Sequence, residues 1–389
     1  MTTRSIFALA AAALVAVATG AEAQTRGVTA DTVIIGSHSD LSGPLASWGV
    51  PATNGARMRF DEANAAGGVH GRKIDFRVED TQYQVPLTVR ATNRLVQRDN
   101  IFAMLLGAGT AQSLASYEIT DRQGIPNVFP LSAARSMAYP THPLHISYFA
   151  SYQDQAIGAI RYFHERDGVG SVCLQTQSSE YGEEVTDGVR SAAEELGLEI
   201  SMIGTHRTTE TEFAGAATAI RNANCDLIYL GTTGRDTIAL YTTLRQMGVT
   251  VPMVGNMVSY LPVVAQAGGG EMEGLYVTSP VADANWNDGN AFRTDFIARY
   301  RAAHNEDPTV QTQAGYLSAD LLIRGLEAAG PDLTAEGLMA GIEGLQDIAD
   351  PFGGLSMSFG AEKRFGVDSL FLIQVENSAW VVREQNLPF

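Results

Sequence analysis

Positive charge is scarce in this chain of 389 residues: Lys and Arg total 26 against 43 Asp and Glu, a formal net charge of −17. That balance opposes contact with phosphate backbones and anionic lipid surfaces, so nucleic acid is not an expected partner. Cysteine is scarcer still, with two residues, Cys173 and Cys225. No disulfide framework can carry the fold, although each cysteine lies in or beside an expected strand, and one bridge or two buried free thiols both remain open. The sequence has no C-x-x-C and no H-E-x-x-H, and its 7 histidines are scattered, so no metal site or cofactor is expected. Only one long uninterrupted apolar run occurs, Ile6 to Ala18, too short for the roughly 20 residues of a membrane-spanning helix.

That run reads as the core of an export signal. Arg4 precedes it, Ala21-Glu22-Ala23 supplies a small-residue cleavage site, and the mature chain is expected to start at Gln24. The remaining length suits two globular domains at roughly 100–200 residues each. Hydrophobic residues make up 45% of the chain, which excludes wholesale disorder, and 39 glycines imply many strand-to-helix turns.

Strand and helix signals alternate along the chain. Thr32 to Gly36 has strand character, and a helical spacing of apolar residues runs from Ser47 to Ala66, closed by Gly67-Gly68. Lys73 to Val78 alternates as a strand. A helix over Leu87 to Gln97, the apolar strand Ile101 to Leu106, the loop Gly107-Ala108-Gly109-Thr110 and a further helix follow, before Gly124 to Phe129 opens another strand. The series restarts near residue 150, with strands at Ser171–Thr176, Glu199–Ile203, Asp226–Leu230, Val251–Val254 and Gly274–Thr278 separated by helices. This pattern predicts two similar α/β units, each a parallel sheet covered by helices. Two further helices (290–304 and 314–329) and a hairpin-like end (355–359 with 369–375) are too small for a third domain, so they are expected to dock on the first two.

Catalysis has thin support. The pairs Glu183-Glu184 and Glu194-Glu195 read as solvated helix faces, and no G-x-S-x-G is present. Gly107-x-Gly109 lacks the third glycine of a dinucleotide fingerprint and is not followed by Gly-Lys-Ser/Thr. A Gly-Thr turn between a strand and a helix has a simpler use, offering backbone N–H groups and a hydroxyl to a carboxylate or carbonyl oxygen.

The segments Leu41 to Gly49, Asn64 to Lys73 and Glu79-Asp80-Thr81 resemble those of the leucine/isoleucine/valine-type periplasmic binding proteins of ABC importers. Gly124-Ile125-Pro126, Tyr181-Gly182, Phe213, Gln246-Met247-Gly248 and Glu273-Gly274-Leu275 continue the match in order, over residues 29–380. The resemblance implies an α/β type I binding protein: two similar parallel-sheet lobes joined by a three-segment hinge that closes on a small molecule. Lobe 1 would combine 24–149 with 281–356, and lobe 2 would combine 150–280 with 357–389.

Carried over by position, the resemblance places ligand contacts at Trp48, an aromatic wall; at Gly109 and Thr110, the carboxylate turn; at Leu131, Ser132 and Ala133; and at Tyr181. Three departures concern the ammonium group of an amino acid. The family's Thr that helps hold it falls on Ala133, its acidic residue after the strand ending at Val254 on Met257, its cleft Tyr on Thr233, and an acid near the first crossover on Tyr152. A buried ammonium without partners costs several kcal/mol. The expected ligand is therefore an aromatic or otherwise apolar carboxylic acid, with Arg135 as a candidate cation for its carboxylate. The expected role is that of a non-catalytic, monomeric periplasmic protein delivering its ligand to a permease and ATPase. Alternatives are a sensor of the same architecture that signals to a receptor or regulator, and a true branched-chain amino-acid binder. We read neither a helix-turn-helix head nor a transmembrane tail, which favours delivery over sensing.

Overall fold

The computed structural model describes residues 25–284 and 288–389. The export signal expected at 1–23 lies outside the described residues. Among those described, no helix is long and apolar enough to cross a membrane.

The chain begins with strand-helix alternation: β1 (Thr32–Ser39), α1 (Ala46–Ala65), β2 (Lys73–Asp80), α2 (Val85–Gln97), β3 (Ala103–Leu105), α3 (Thr110–Thr120), β4 (Asn127–Val128) and β5 (His145–Ile146). These strands form one parallel sheet in the order β2-β1-β3-β4-β5. The second unit follows with α4 (Tyr152–Asp167), β6 (Ser171–Gln177), α5 (Glu180–Leu196), β7 (Glu199–His206), α6 (Ala214–Ala223), β8 (Leu227–Gly231), α7 (Gly234–Gln246), β9 (Met253–Gly255), α8 (Pro262–Gln266) and β10 (Tyr276–Ser279). Inside its sheet lies β8, whose five residues are all buried, as a strand covered by helices on both faces requires. Burying each of its large apolar side chains contributes about 1.5–3 kcal/mol.

The C-terminal quarter is shared between the units. Helices α9 (Ala291–His304), α10 (Val310–Ala329) and α11 (Ala335–Glu343) return to the first, and β11 (Leu370–Glu376) and β12 (Ala379–Leu387) complete the second sheet in the order β12-β11-β10-β9-β8-β6-β7. Backbone contact explains why α10 seats on α1. A Cβ on Gly55 would lie 2.0 Å from the Thr312 carbonyl oxygen, and one on Gly315 would lie 1.8 Å from that of Ala52. Only glycine permits that approach.

One expectation changes, and one open alternative closes. The terminal hairpin pairs β11 with β12, antiparallel, so the second sheet is not wholly parallel; Met357 makes only an isolated bridge to Ile348. The alternation around 355–359 is interrupted by Gly353-Gly354 and belongs to a loop. The two cysteines are not free thiols: Cys173 on β6 and Cys225 before β8 are joined as a disulfide, with Cα atoms 5.8 Å apart. The neighbouring pairing of β6 with β8 brings them to that separation.

Candidate functional site

Parallel strands deliver their C-terminal ends to one edge of each sheet, and the two edges face each other across a pocket. Leu45, Trp48, Tyr83, Ala108, Gly109, Thr110 and Leu131 line it from the first unit, and Tyr152, Tyr181, Thr233, Met257 and Val258 from the second. The space open to the centre of a water molecule is about 30 Å³, so the two units are drawn close around the site.

The loop after β1 is built on Asp40, whose buried carboxylate accepts from the N–H groups of Gly43 (2.5 Å) and Leu45 (2.7 Å). This fixes the start of α1 and with it Trp48, 6% exposed, whose indole N–H donates to the Val258 carbonyl at 3.2 Å. Opposite lies the turn before α3. Gly109 has φ +88°, and a Cβ there would lie 2.3 Å from Gln112 Oε1 and 2.8 Å from the Tyr83 ring. No side chain caps α3, so its first-turn N–H groups remain available beside Thr110. The Thr110 hydroxyl is 2.9 Å from that of Ser132. Tyr83 and its neighbour Gln82 both have positive φ, and Gln112 Nε2 holds the Tyr83 carbonyl at 2.8 Å. Backbone of this kind persists where the surroundings over-determine it, and it clusters at ligand sites.

On the far wall, the Tyr152 and Tyr181 rings meet edge to face at 4.9 Å. Burial pushes the Tyr152 phenol up to about 12 and raises that of Tyr181 well above its ordinary value, so both stay neutral. Asn256 Nδ2 donates to the Tyr181 hydroxyl at 3.0 Å. Thr233 Oγ1 donates to Asp236 Oδ2 at 2.8 Å, and His206 Nε2 lies 3.3 Å from the same oxygen. Burial works to raise the Asp236 carboxyl, yet hydrogen bonds from His206, Arg235 and Thr233 together outweigh it and hold it below the usual range. Thr233 therefore spends its proton on an anion and meets the pocket as an acceptor.

Of the residues named from sequence, Trp48, Gly109, Thr110, Leu131, Tyr152, Tyr181, Thr233 and Met257 line one pocket. Ser132 and Ala133 stand behind it: Ser132 bonds to Thr110, and the Ala133 carbonyl accepts from the Tyr152 N–H at 2.7 Å. Arg135 is a correction. It is exposed, with its guanidinium 4.9 Å from the centre of the Tyr139 ring, and it does not line the pocket. The short helical turn that starts there points the side chain outward, while its backbone N–H and that of Ser136 donate to the Glu184 carboxylate at 2.9 and 3.0 Å. Glu184 thus ties the two units together and is not simply part of a solvated face. Leu45, Tyr83, Ala108 and Val258 were missed, although each lies in or within two residues of a segment singled out in the sequence. The positive φ of Tyr83 has no sequence signal.

No lining residue carries a formal charge. Nor does any pair of them form the nucleophile and base of a hydrolase. The site can enclose an apolar body, offer N–H groups and a hydroxyl at Gly109-Thr110, and offer an acceptor at Thr233.

The profile of the periplasmic binding protein family matches residues 32–379. The leucine-, isoleucine-, valine-, threonine- and alanine-binding protein of Pseudomonas aeruginosa is 22% identical over 317 residues, 80% of this chain and 83% of that one. Among solved structures, a fatty acid ABC transporter substrate-binding protein from Thermomonospora curvata superposes with a TM-score of 0.85 at 21% identity, covering 94% of this chain and 95% of the other. An ABC transporter solute-binding protein from R. palustris in complex with benzoate gives 0.80 at 19% identity, with 92% and 97% covered. With the profile spanning nearly all of both units, and the two sheets facing each other across a closed pocket, the chain belongs to the periplasmic binding protein family and has the two-lobed type I architecture of ABC-importer substrate-binding proteins.

Proposed function

We propose that this protein captures an aromatic or otherwise apolar carboxylic acid in the interlobe pocket and presents it to the permease and ATPase of an ABC importer. The observation that carries this reading is the pocket's lack of any charged side chain. An α-amino acid would bury its ammonium against Met257, which offers no side-chain oxygen, at a cost of several kcal/mol. A carboxylate needs no cation here, because the uncapped start of α3 supplies N–H groups and the favourable end of a helix dipole. Trp48, Tyr152 and Tyr181 supply flat apolar walls. The reading includes export through the segment 1–23, lobes bounded at 149/150, 280/281 and 356/357, a monomeric state and no catalytic step.

A second reading, branched-chain amino-acid binding, is favoured by the acceptor presented at Thr233. A thermal-shift screen against benzoate-like and phenylpropenoid-like acids beside leucine, isoleucine and valine separates the two. A ligand at one hundred times its dissociation constant stabilises the folded state by about 2.7 kcal/mol. Stabilisation by aromatic acids and not by leucine is the expected result. Stabilisation by leucine alone would overturn the proposal.

A further inference from the structure

Three side chains able to bind a metal meet outside the cleft. Asp121 follows α3, His142 lies on the loop that enters β5 and His145 opens that strand, and one ligand atom from each falls within 4.8 Å of the other two. The chain beyond β4 and β5 leads to Leu131 and Tyr152 of the pocket, so the cluster occupies the opposite end of the first sheet.

The cluster is held in place by its surroundings. Pro140 and Pro143 bracket His142 in the sequence. The Tyr139 hydroxyl donates to the Glu362 carbonyl at 2.8 Å and accepts from the Arg364 N–H at 3.2 Å. The backbone N–H of Asn127 donates to the Leu144 carbonyl at 2.7 Å. Its side chain donates to Thr120 Oγ1 at 2.8 Å and reaches Asp121 Oδ1 at 3.5 Å, orienting the carboxylate. The Tyr117 ring packs 4.2 Å from that of His145.

The donor atoms are already close. His145 Nε2 is 2.8 Å from Asp121 Oδ1, and the two imidazole rings lie 4.1 Å apart, inclined by 32°. Neutral imidazoles keep a lone pair for a metal. The guanidinium of Arg364 is engaged by Glu343 at 2.7 Å, which offsets its repulsion of a cation. Two imidazole nitrogens and one carboxylate oxygen suit a late first-row divalent ion, with the fourth position left to water.

We propose that Asp121, His142 and His145 bind one such cation, zinc foremost, at the base of the first lobe. The ion takes the place of the hydrogen bond between His145 Nε2 and Asp121 Oδ1: His145 then carries its proton on Nδ1 and offers the Nε2 lone pair, so the neutral ring loses no proton. This site is independent of what the cleft binds.

The test is equilibrium dialysis of the metal-stripped chain against zinc chloride in a non-coordinating buffer, followed by elemental analysis. One zinc per chain at micromolar or tighter affinity is expected, with a raised melting temperature and no retention of calcium. His142→Ala, on the loop surface, and Asp121→Asn, which keeps its shape, are each expected to weaken binding at least tenfold, with circular-dichroism melting of the metal-free variants confirming that they fold. Failure of the parent chain to bind zinc, equal retention of calcium, or unchanged zinc binding in both variants overturns the proposal.

Discussion

The indole N–H of Trp48 donates to the carbonyl of Val258 across 210 positions of sequence, joining the first turn of α1 to the turn after β9. Both residues line the pocket, so one hydrogen bond ties its two walls directly. The Glu184 carboxylate, receiving two backbone N–H groups from residues 135 and 136, makes a second tie beside it.

Trp48→Phe keeps an apolar wall and removes the donor. A net contribution of about 0.5–1.5 kcal/mol for such a bond predicts ligand affinity weakened by roughly twofold to tenfold. Isothermal titration with whichever acid stabilises the parent protein reads this out. Unchanged affinity would remove the bond from the closed state's energetics.

Gly109→Ala introduces a Cβ at φ +88° that collides with Gln112 and Tyr83. At ψ 145° this positive-φ backbone is one that glycine alone adopts readily, costing another residue about 1–3 kcal/mol, and displacement of Tyr83 deforms the pocket. The expected outcome is a lower melting temperature together with at least a tenfold loss of ligand affinity. A stability loss with intact affinity would place the turn outside the binding role.

Reduction should destabilise the second lobe. The bridge closes a 52-residue separation, for which chain-entropy reasoning gives about 4 kcal/mol, near the upper end of the usual 2–4 kcal/mol. Denaturant titration with and without a reductant measures the difference. Because Cys173 is fully buried and Cys225 nearly so, reduction is expected to be slow in the folded protein and fast in denaturant.

Asp350 carries an inverted pH dependence. Burial, partly countered by hydrogen bonds from Phe352, Gln313 and Gly354, pushes its carboxyl up to about 6. A carboxyl with a folded value above its unfolded one favours folding while it is protonated, so its stabilising contribution is full below about 3.8 and is lost as the pH climbs through about 6. Asp350→Asn should therefore stabilise the protein at pH 7.5, by about 3 kcal/mol at most. The advantage should shrink toward zero at pH 4. Gln313 Oε1, buried without a partner, can accept from the new amide after a flip of the Gln313 side chain. Parallel urea titrations at the two pH values check the sign.

The fold was legible in the sequence where its periodicity is local. The apolar run Ile228 to Leu230 reads as a buried strand because both faces are covered, and the α1 pattern ends at a glycine pair. What escaped depends on partners distant in sequence. The hairpin was misplaced because β11 and a loop segment carry similar short apolar runs, and only pairing with β10 distinguishes them. Arg135 was misdirected because the direction of a side chain on a short helical turn is set by Tyr139 and Glu184, not by spacing. The pocket walls were found through resemblance, while Tyr83 depends on two consecutive positive φ angles that its residue types do not announce. The histidine pair looked scattered because its third member, Asp121, arrives from the far side of β4.

Sharing the last quarter of the chain between the lobes constrains the order in which they can form. At the moment residue 300 leaves the ribosome, α1 still lacks α10 and β10 still lacks β11, so each unit exposes an apolar surface that only later residues cover. Neither lobe can finish during synthesis, and the nascent chain stays incompletely folded until its final segments emerge.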